Sequence, residues 1–219
     1  MSPPPPGFDE ALARIREALA RRPPRTLPVP GFRAAAVLVP LLDRPAGPTV
    51  LFTRRTETVP HHKGEISFPG GGVEEGEDAV RAATREAEEE VGLLPERVTA
   101  VGILDDVPSI AGYVVTPVVA AVRDPPDAFR PAAFEVSEPF EVPLGHLLDP
   151  AIRRASLWDP ARLPPGAAAA VLASRVEFEH VDPSTGHWRV WSFEAGPGRT
   201  IWGLTARILV DLVDRAFVE

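Results

Sequence analysis

The sequence contains no cysteine, and Lys63 is the one lysine among its 23 basic residues. Without cysteine the chain has no disulfide, no thiolate-bound zinc and no thiol nucleophile. No apolar run approaches the roughly 18 residues of a membrane span, and no basic segment precedes a short apolar one as in an export signal. These absences predict a soluble, cytoplasmic protein without a membrane partner.

Excess positive charge is also missing, because the formal net charge is -8. General nucleic-acid binders carry a basic face, so we expect no nucleic-acid partner. The 219 residues are 44% hydrophobic and 25% charged, which suits one domain of moderate size. We expect a Pro-rich N-terminal arm with a short helix over residues 1–30 and one larger domain over residues 31–219.

Hydrophobic periodicity places strands and helices in alternation along the chain. Gly92 and nearby prolines supply helix stops. The N-terminal arm could pack on the domain or on a second subunit, and together with the apolar C-terminal helix it makes a homodimer plausible. The predicted helices are residues 8–21, 78–91, 144–148 and 200–217, and the predicted strands are residues 32–42, 49–53, 98–104, 113–122, 135–142, 176–180 and 187–193, with a connection at 159–169.

An acidic cluster lies on the helix predicted for residues 78–91. Glu86, Glu89 and Glu90 are spaced i, i+3 and i+4 and span an arc of roughly 100°, which we place away from an apolar stripe of Val80, Ala83, Ala87 and Val91. A solvated acidic face is the ordinary alternative, and Glu88 fits that description. Like charges near a helix C-terminus are destabilising, whereas a divalent cation would relieve their repulsion. Mg²⁺ or Mn²⁺ bound by the three glutamates is therefore predicted.

The cluster belongs to a longer pattern, G-x5-E-x7-R-E-U-x-E-E-x-G-U with U aliphatic, that runs from Gly71 to Leu93. This pattern resembles the signature of the Nudix hydrolases, and every fixed position is filled. The resemblance implies a Nudix fold, an α/β/α sandwich with a mixed β-sheet and a loop-helix-loop motif. It also implies that the Gly70 carbonyl joins the metal ligands, that Arg85 orients the glutamates, and that Glu86 or Glu89 acts on the water.

A second pattern lies upstream and resembles LLTxR(S/A)xxxRxxxGxxxFPGG of the coenzyme A pyrophosphatases within that superfamily. The chain matches it at Leu51, Thr53, Arg55, Gly64 and the run from Phe68 to Gly71. It departs at Phe52, at Thr56 in place of Ser or Ala, and at Pro60 in place of Arg. The resemblance, with similar segments downstream, spans about residues 32–213.

The resemblance implies metal-dependent hydrolysis of the diphosphate of CoA to 3',5'-ADP and 4'-phosphopantetheine. Diphosphate cleavage needs cations because its negative charge repels the incoming water. We expect the substrate to be bound by Arg54, Arg55, Lys63 and Gly71, and an extra carboxylate from Glu135 or Glu138.

Alternatives remain at several positions. The substrate could instead be NADH or ADP-ribose, since Pro60 replaces an arginine, and a non-catalytic binding module on the same fold is a third possibility. His61 and His62 are expected to be ordinary loop residues, and Glu77 supports the loop or simply favours the helix N-terminus. Trp202 is expected in the core rather than as a platform for adenine.

Overall fold

The computed structural model describes residues 4–56, 64–159 and 184–218. The expected strand at 176–180, Lys63 and nearly all of the connection at 159–169 lie outside these ranges. The helices are α1 Phe8–Ala20, α2 Ala79–Val91, α3 Leu144–Leu147 and α4 Gly203–Phe217. The strands are β1 Arg33–Leu42, β2 Thr49–Arg55, β3 Ile66–Ser67, β4 Gly70–Gly72, β5 Thr99–Ile103, β6 Val107–Pro108, β7 Tyr113–Val122, β8 Val136–Pro143, β9 Arg153–Trp158, β10 Trp188–Glu194 and β11 Thr200–Trp202.

The main sheet is mixed. Strands β1 and β7 run parallel along their whole lengths, from the pair Arg33–Tyr113 to the pair Leu42–Val122. On its other edge β1 pairs antiparallel with β4 near its start and with β2 at its end. Strand β8 continues the sheet beyond β2, and β5 and β6 continue it beyond β7. The hairpin expected between the first two strands is therefore confirmed.

Two apolar cores cover the two faces of this sheet. Successive side chains of a strand point to opposite faces, so Val118 and Ala120 of β7 face one core while Val119 and Ala121 face the other. Helix α2 packs on the first face through Ala83, among others. Helices α1 and α4 pack on the second. The predicted α/β/α sandwich with a mixed sheet is confirmed.

Helix α1 packs on the domain itself, which is the first of the two alternatives given for the N-terminal arm. Leu12 and Ile15 are buried in the same core as Leu209 of α4. Burying an aliphatic side chain contributes roughly 1.5–3 kcal/mol. The arm thus packs against the sheet through a helix whose apolar face matches the predicted spacing.

A three-stranded sheet, β9–β10–β11, adds to the fold beside α4. Its first strand, Arg153–Trp158, was not predicted, because almost all of its side chains are exposed and show no buried alternation. The C-terminal helix begins at Gly203 rather than at Thr200, since residues 200–202 form β11. Trp202 therefore lies on a strand, is 39% exposed and packs its ring 6.2 Å from that of Trp158, which corrects its expected place in the core.

No helix among the described residues is long and apolar enough to cross a membrane.

Candidate active site

Helix α2 carries the acidic cluster and is capped at both ends; the stop at Gly92 was predicted from the sequence, whereas Asp78, which was placed inside the helix, is its N-cap. The Asp78 side chain accepts a hydrogen bond from the Arg81 backbone N–H at 2.9 Å. Gly92 ends the helix in the left-handed conformation, at φ 69°, which costs glycine little. Two of the last carbonyls, those of Glu90 and Val91, accept hydrogen bonds from the backbone of Ala132 and Arg130. The helix end is thus joined to the segment that leads into β8.

The three clustered glutamates differ sharply in exposure. The Glu89 side chain is 59% exposed and that of Glu86 is 16% exposed, while Glu90 as a residue is 4% exposed. The sequence predicted that the arc of three glutamates lies away from the apolar stripe, and this prediction is wrong. Glu90 belongs to the buried face beside Ala83 and Ala87, whereas Val80 is only partly buried. Glu88 is exposed, as expected.

Arg85 connects the cluster to the loop before the helix. Its guanidinium group donates to both carboxylate oxygens of Glu77, at 3.1 and 3.2 Å, and to the Gly72 carbonyl at 3.0 Å. It also donates to Glu86 at 3.0 Å and to Glu89 at 3.2 Å. The hydrogen bond from Arg85 lowers the pKa of Glu77, and the bond to Glu77 raises the pKa of Arg85. A planar fork with five donors can hold all of these partners, which a lysine could not.

Strand β4 brings three glycines against the glutamates. The Gly70 backbone N–H lies 3.4 Å from Glu90 Oε2. A Cβ atom on Gly71 would meet Glu86 Oε1 at 2.4 Å, and one on Gly70 would meet the Ala36 carbonyl oxygen at 2.4 Å. A Cβ on Gly72 would meet nothing within 4 Å. Glycine is thus required at Gly70 by the backbone of β1, whereas a Cβ atom at Gly71 would displace the Glu86 carboxylate.

Burial raises the pKa of Glu90 to about 8, although the Arg55 charge and the Gly70 N–H oppose this shift. Burial also raises the pKa of Glu86, against the effect of Arg85. The negative charge of Glu135 raises the pKa of both groups further. Carboxyl groups from α2 and from the segment before β8 therefore share one electrostatic environment.

The two candidates for an extra carboxylate have different surroundings. The backbone N–H of Thr56 donates to the Glu135 carbonyl at 2.9 Å, and the Thr56 hydroxyl donates to the Phe134 carbonyl at 3.0 Å. The end of β2 therefore fixes the backbone next to Glu135. The Glu138 carboxylate instead accepts a short hydrogen bond from Arg199. Glu135 approaches the cluster and Glu138 is held by the β10–β11 turn.

The candidate substrate-binding arginines end β2. Both Arg54 and Arg55 have a buried Nε group with no hydrogen-bond acceptor among the described residues. The Nη2 group of Arg54 donates to the Gly198 carbonyl at 2.5 Å, so this side chain points towards the β10–β11 turn. The charge of Arg55 acts on Glu90. Pro60, His61, His62 and Lys63 lie outside the described residues.

The donor set suits a hard divalent cation. Glu86, Glu89, Glu90 and Glu135 offer carboxylate oxygens, and a cation would offset the cost of burying Glu90 in its charged form. As placed, no three such side chains in the described ranges converge closely enough to hold an ion. Arg85 binds Glu86 and Glu89, and the Glu89 side chain is 59% exposed. The four residues therefore fit a cation by chemistry, and three of them lie on helix α2.

Thr56 and the segment 130–132 border the site, and Arg199 binds Glu138, but none of them was singled out as functional from the sequence. Thr56 stood out only as a departure from the family pattern. The contacts of Arg199 with Glu138 and of Ala132 with Glu90 join positions 61 and 42 residues apart. No local spacing signals such contacts.

A family model described as the NUDIX domain matches residues 32–163. This match covers more than half of the chain and includes β1, the three glycines and all of α2. The chain belongs to the Nudix family and is a Nudix hydrolase. Enzymes of this family use divalent metal ions and act on small-molecule substrates.

Within the family the chain is similar to the Nudix hydrolase NudL of Escherichia coli (strain K12). The two are 43% identical over 143 residues, which cover 64% of this chain and 71% of NudL. Among solved structures, the chain matches the Nudix hydrolase RenU of M. smegmatis at 27% identity, over 66% of this chain and 84% of that one, with a TM-score of 0.44. It also matches the Ap4A hydrolase of C. elegans at 25% identity, over 50% and 80%, with a TM-score of 0.42.

Proposed function

We propose that the chain hydrolyses the diphosphate of coenzyme A or its derivatives, giving 3',5'-ADP and 4'-phosphopantetheine or its acylated form. The proposal rests on one observation, which is that residues of the two sequence patterns lie close together in the fold. The upstream pattern ends β2 with Arg55, whose charge acts on Glu90 of the Nudix helix. The sequence run from Phe68 to Gly71 then leads into β4, where Gly70 and Gly71 touch Glu90 and Glu86.

In this proposal Glu86, Glu89 and Glu90 hold Mg²⁺ or Mn²⁺, with the Gly70 carbonyl as a further oxygen donor. When bound, the metal neutralises the diphosphate and activates the attacking water. Glu135 adds a fourth carboxylate to this group. The choice between Mg²⁺ and Mn²⁺ is tested by activity with each ion after EDTA treatment.

The roles of the protein side chains follow from their contacts. Arg85 holds Glu86 and Glu89 in place, and Glu77 holds Arg85. Glu86 or Glu89 accepts the proton of the attacking water, because a carboxylate near neutral pH can act as a general base. The Nε group of Arg55, which has no acceptor in the described part of the chain, donates to a phosphate oxygen of the substrate. Gly71, which has no side chain, lets the diphosphate approach the backbone, and the role proposed for Arg54 and Lys63 is to bind the negatively charged substrate.

The runner-up is a Nudix hydrolase of NADH or ADP-ribose, and Pro60 in place of the expected arginine favours it. The two functions are separated by measuring kcat/KM for CoA, NADH and ADP-ribose side by side. We expect CoA to give the highest value. A higher kcat/KM for NADH or ADP-ribose would replace the first proposal by the second.

A further inference from the structure

A pocket lies away from the acidic cluster. It has a volume of about 460 Å³ and is lined by residues of α4, of the small sheet and of the chain just after α1. Helices α1 and α4 cover the opposite face of the main sheet from α2. Volumes of 300–1,000 Å³ are typical of small-molecule sites. The pocket is therefore large enough for a ligand and is separate from the proposed catalytic site.

Arginine dominates the lining of the pocket. Four guanidinium groups contribute to it, those of Arg22, Arg153, Arg189 and Arg215. This concentration of positive charge stands out in a chain whose formal net charge is -8. Guanidinium groups match the geometry of phosphate and carboxylate oxygens.

Three of these arginines form ion pairs with aspartates. Arg153 makes a two-pronged ion pair with Asp214, at 2.5 and 2.9 Å. Arg215 donates to Asp211 at 2.6 Å and lies 2.8 Å from Asp105 Oδ2. Arg22 donates to both oxygens of Asp105, each at 2.8 Å.

Arg189 differs from these three arginines. Its contact among the described residues is with the face of Trp191, whose ring centre lies 5.8 Å from its guanidinium carbon. The Arg153 guanidinium lies 4.2 Å from the centre of the same ring. One positive charge on the pocket wall therefore has no carboxylate opposite it in the described part of the chain.

The lining residues also hold hydrogen-bond donors in excess. Arg153 Nε, Trp191 Nε1 and Arg215 Nη1 are buried and have no acceptor among the described residues. A buried donor without an acceptor is destabilising, so these groups favour a ligand rich in acceptor oxygens. Phosphate supplies such oxygens, and it also supplies the negatively charged partner that Arg189 does not have among the described residues.

We propose that this pocket binds a phosphate-bearing small anion at a site distinct from the Nudix catalytic site. Arg189 supplies the charge that attracts the anion, and the ion pairs of Arg153 and Arg215 hold the neighbouring donors in place. The proposal does not depend on the substrate of the catalytic site.

The test is calorimetric titration of inorganic diphosphate into the full chain, with EDTA present so that no turnover occurs. Arg189→Gln and Arg189→Glu are compared with Arg154→Gln. Arg154 is a matched control because it lies exposed on the neighbouring strand β9 of the same small sheet and does not line the pocket.

We expect the wild-type chain to bind diphosphate and Arg189→Gln to weaken this binding at least about fivefold, with a larger loss in Arg189→Glu and none in Arg154→Gln. The turnover rate with Mg²⁺ should stay at the wild-type value in both Arg189 variants. Equal binding by wild type and Arg189→Gln would overturn the proposal, because diphosphate would then bind elsewhere. An equal loss in Arg154→Gln, or no binding by the wild-type chain, would also overturn it.

Discussion

Glu90 is a carboxyl group that is almost fully buried at the end of an otherwise ordinary capped helix. Burial raises its pKa to about 8, and Arg55 and the Gly70 N–H counter this only in part. Such an arrangement is costly in a site that serves structure alone, since buried charges need partners. In the proposed site, a cation supplied from solution would be that partner.

Replacing Glu89 or Glu90 by Gln should lower kcat/KM by about 100-fold or more, because each change removes a negatively charged oxygen from the site. The fold should survive both changes, as seen by circular dichroism. Glu88→Gln is the matched control, since Glu88 is an exposed neighbour on the same helix. Wild-type rates in Glu89→Gln and Glu90→Gln would show that the metal assignment is wrong.

The glycine run offers a second test. Gly71→Ala should lower kcat by about 10- to 100-fold, because its Cβ would displace the Glu86 carboxylate. Gly72→Ala should behave like the wild type, since its Cβ would meet nothing. Gly70→Ala should instead lower the free energy of unfolding by about 1–3 kcal/mol, because its Cβ would clash with the backbone of β1. Activity and thermal denaturation of the three variants, measured together, distinguish these outcomes.

Glu135 and Glu138 should not be equivalent. Glu135 acts electrostatically on Glu86 and Glu90, whereas Glu138 is bound by Arg199. We expect Glu135→Gln to lower kcat/KM by about tenfold or more, and Glu138→Gln to have the smaller effect. The reverse order of the two kcat/KM values would make Glu138 the extra carboxylate.

At the scale of elements, helix α2 and its stop at Gly92 were predictable from the sequence because they depend on local spacing. The Asp78 cap was not predicted, because Asp78 was placed inside the helix. The burial of Glu90 was predicted wrongly, since the sequence pattern alone does not show how much of the helix surface β1 and β4 cover. The small sheet was partly missed because β9 is stabilised by pairing with β10 and not by a buried face of its own.

Asp105 joins elements that are far apart in the chain. It accepts hydrogen bonds from Arg22, after α1, and from the Arg25 backbone N–H, and it lies 2.8 Å from Arg215 of α4. Although burial opposes the charged form, these partners prevail and hold the pKa of Asp105 below its usual range. Asp105→Asn should lower the free energy of unfolding by about 1–3 kcal/mol at neutral pH.

The pH dependence of this contribution has a definite sign. Because the folded-state pKa of Asp105 is depressed, its stabilising effect is present above the unfolded-state pKa of about 4 and is lost as the pH falls below it. The difference in denaturant midpoint between wild type and Asp105→Asn should therefore shrink on acidification. Asp124→Asn is the control, since the Asp124 side chain is 88% exposed and its pair with Arg97 should contribute little. A difference that grows on acidification would contradict this account.

At the scale of the whole molecule, the sheet separates two sites of opposite charge. The acidic cluster of α2 and the arginine-lined pocket beside α4 lie on opposite faces. The acidic cluster could be predicted from a sequence pattern of 23 residues. The second could not be predicted, since Arg22, Arg153, Arg189 and Arg215 come from distant parts of the chain and meet only in the fold.

The central claim is that the Nudix helix and the upstream pattern together form a metal-dependent site for CoA. Its most direct test is identification by mass spectrometry of the products formed from CoA by the pure protein, with Mg²⁺ or Mn²⁺ and with EDTA. We predict 3',5'-ADP and 4'-phosphopantetheine in the presence of metal, and neither with EDTA. Intact CoA under conditions that cleave NADH or ADP-ribose would contradict the claim.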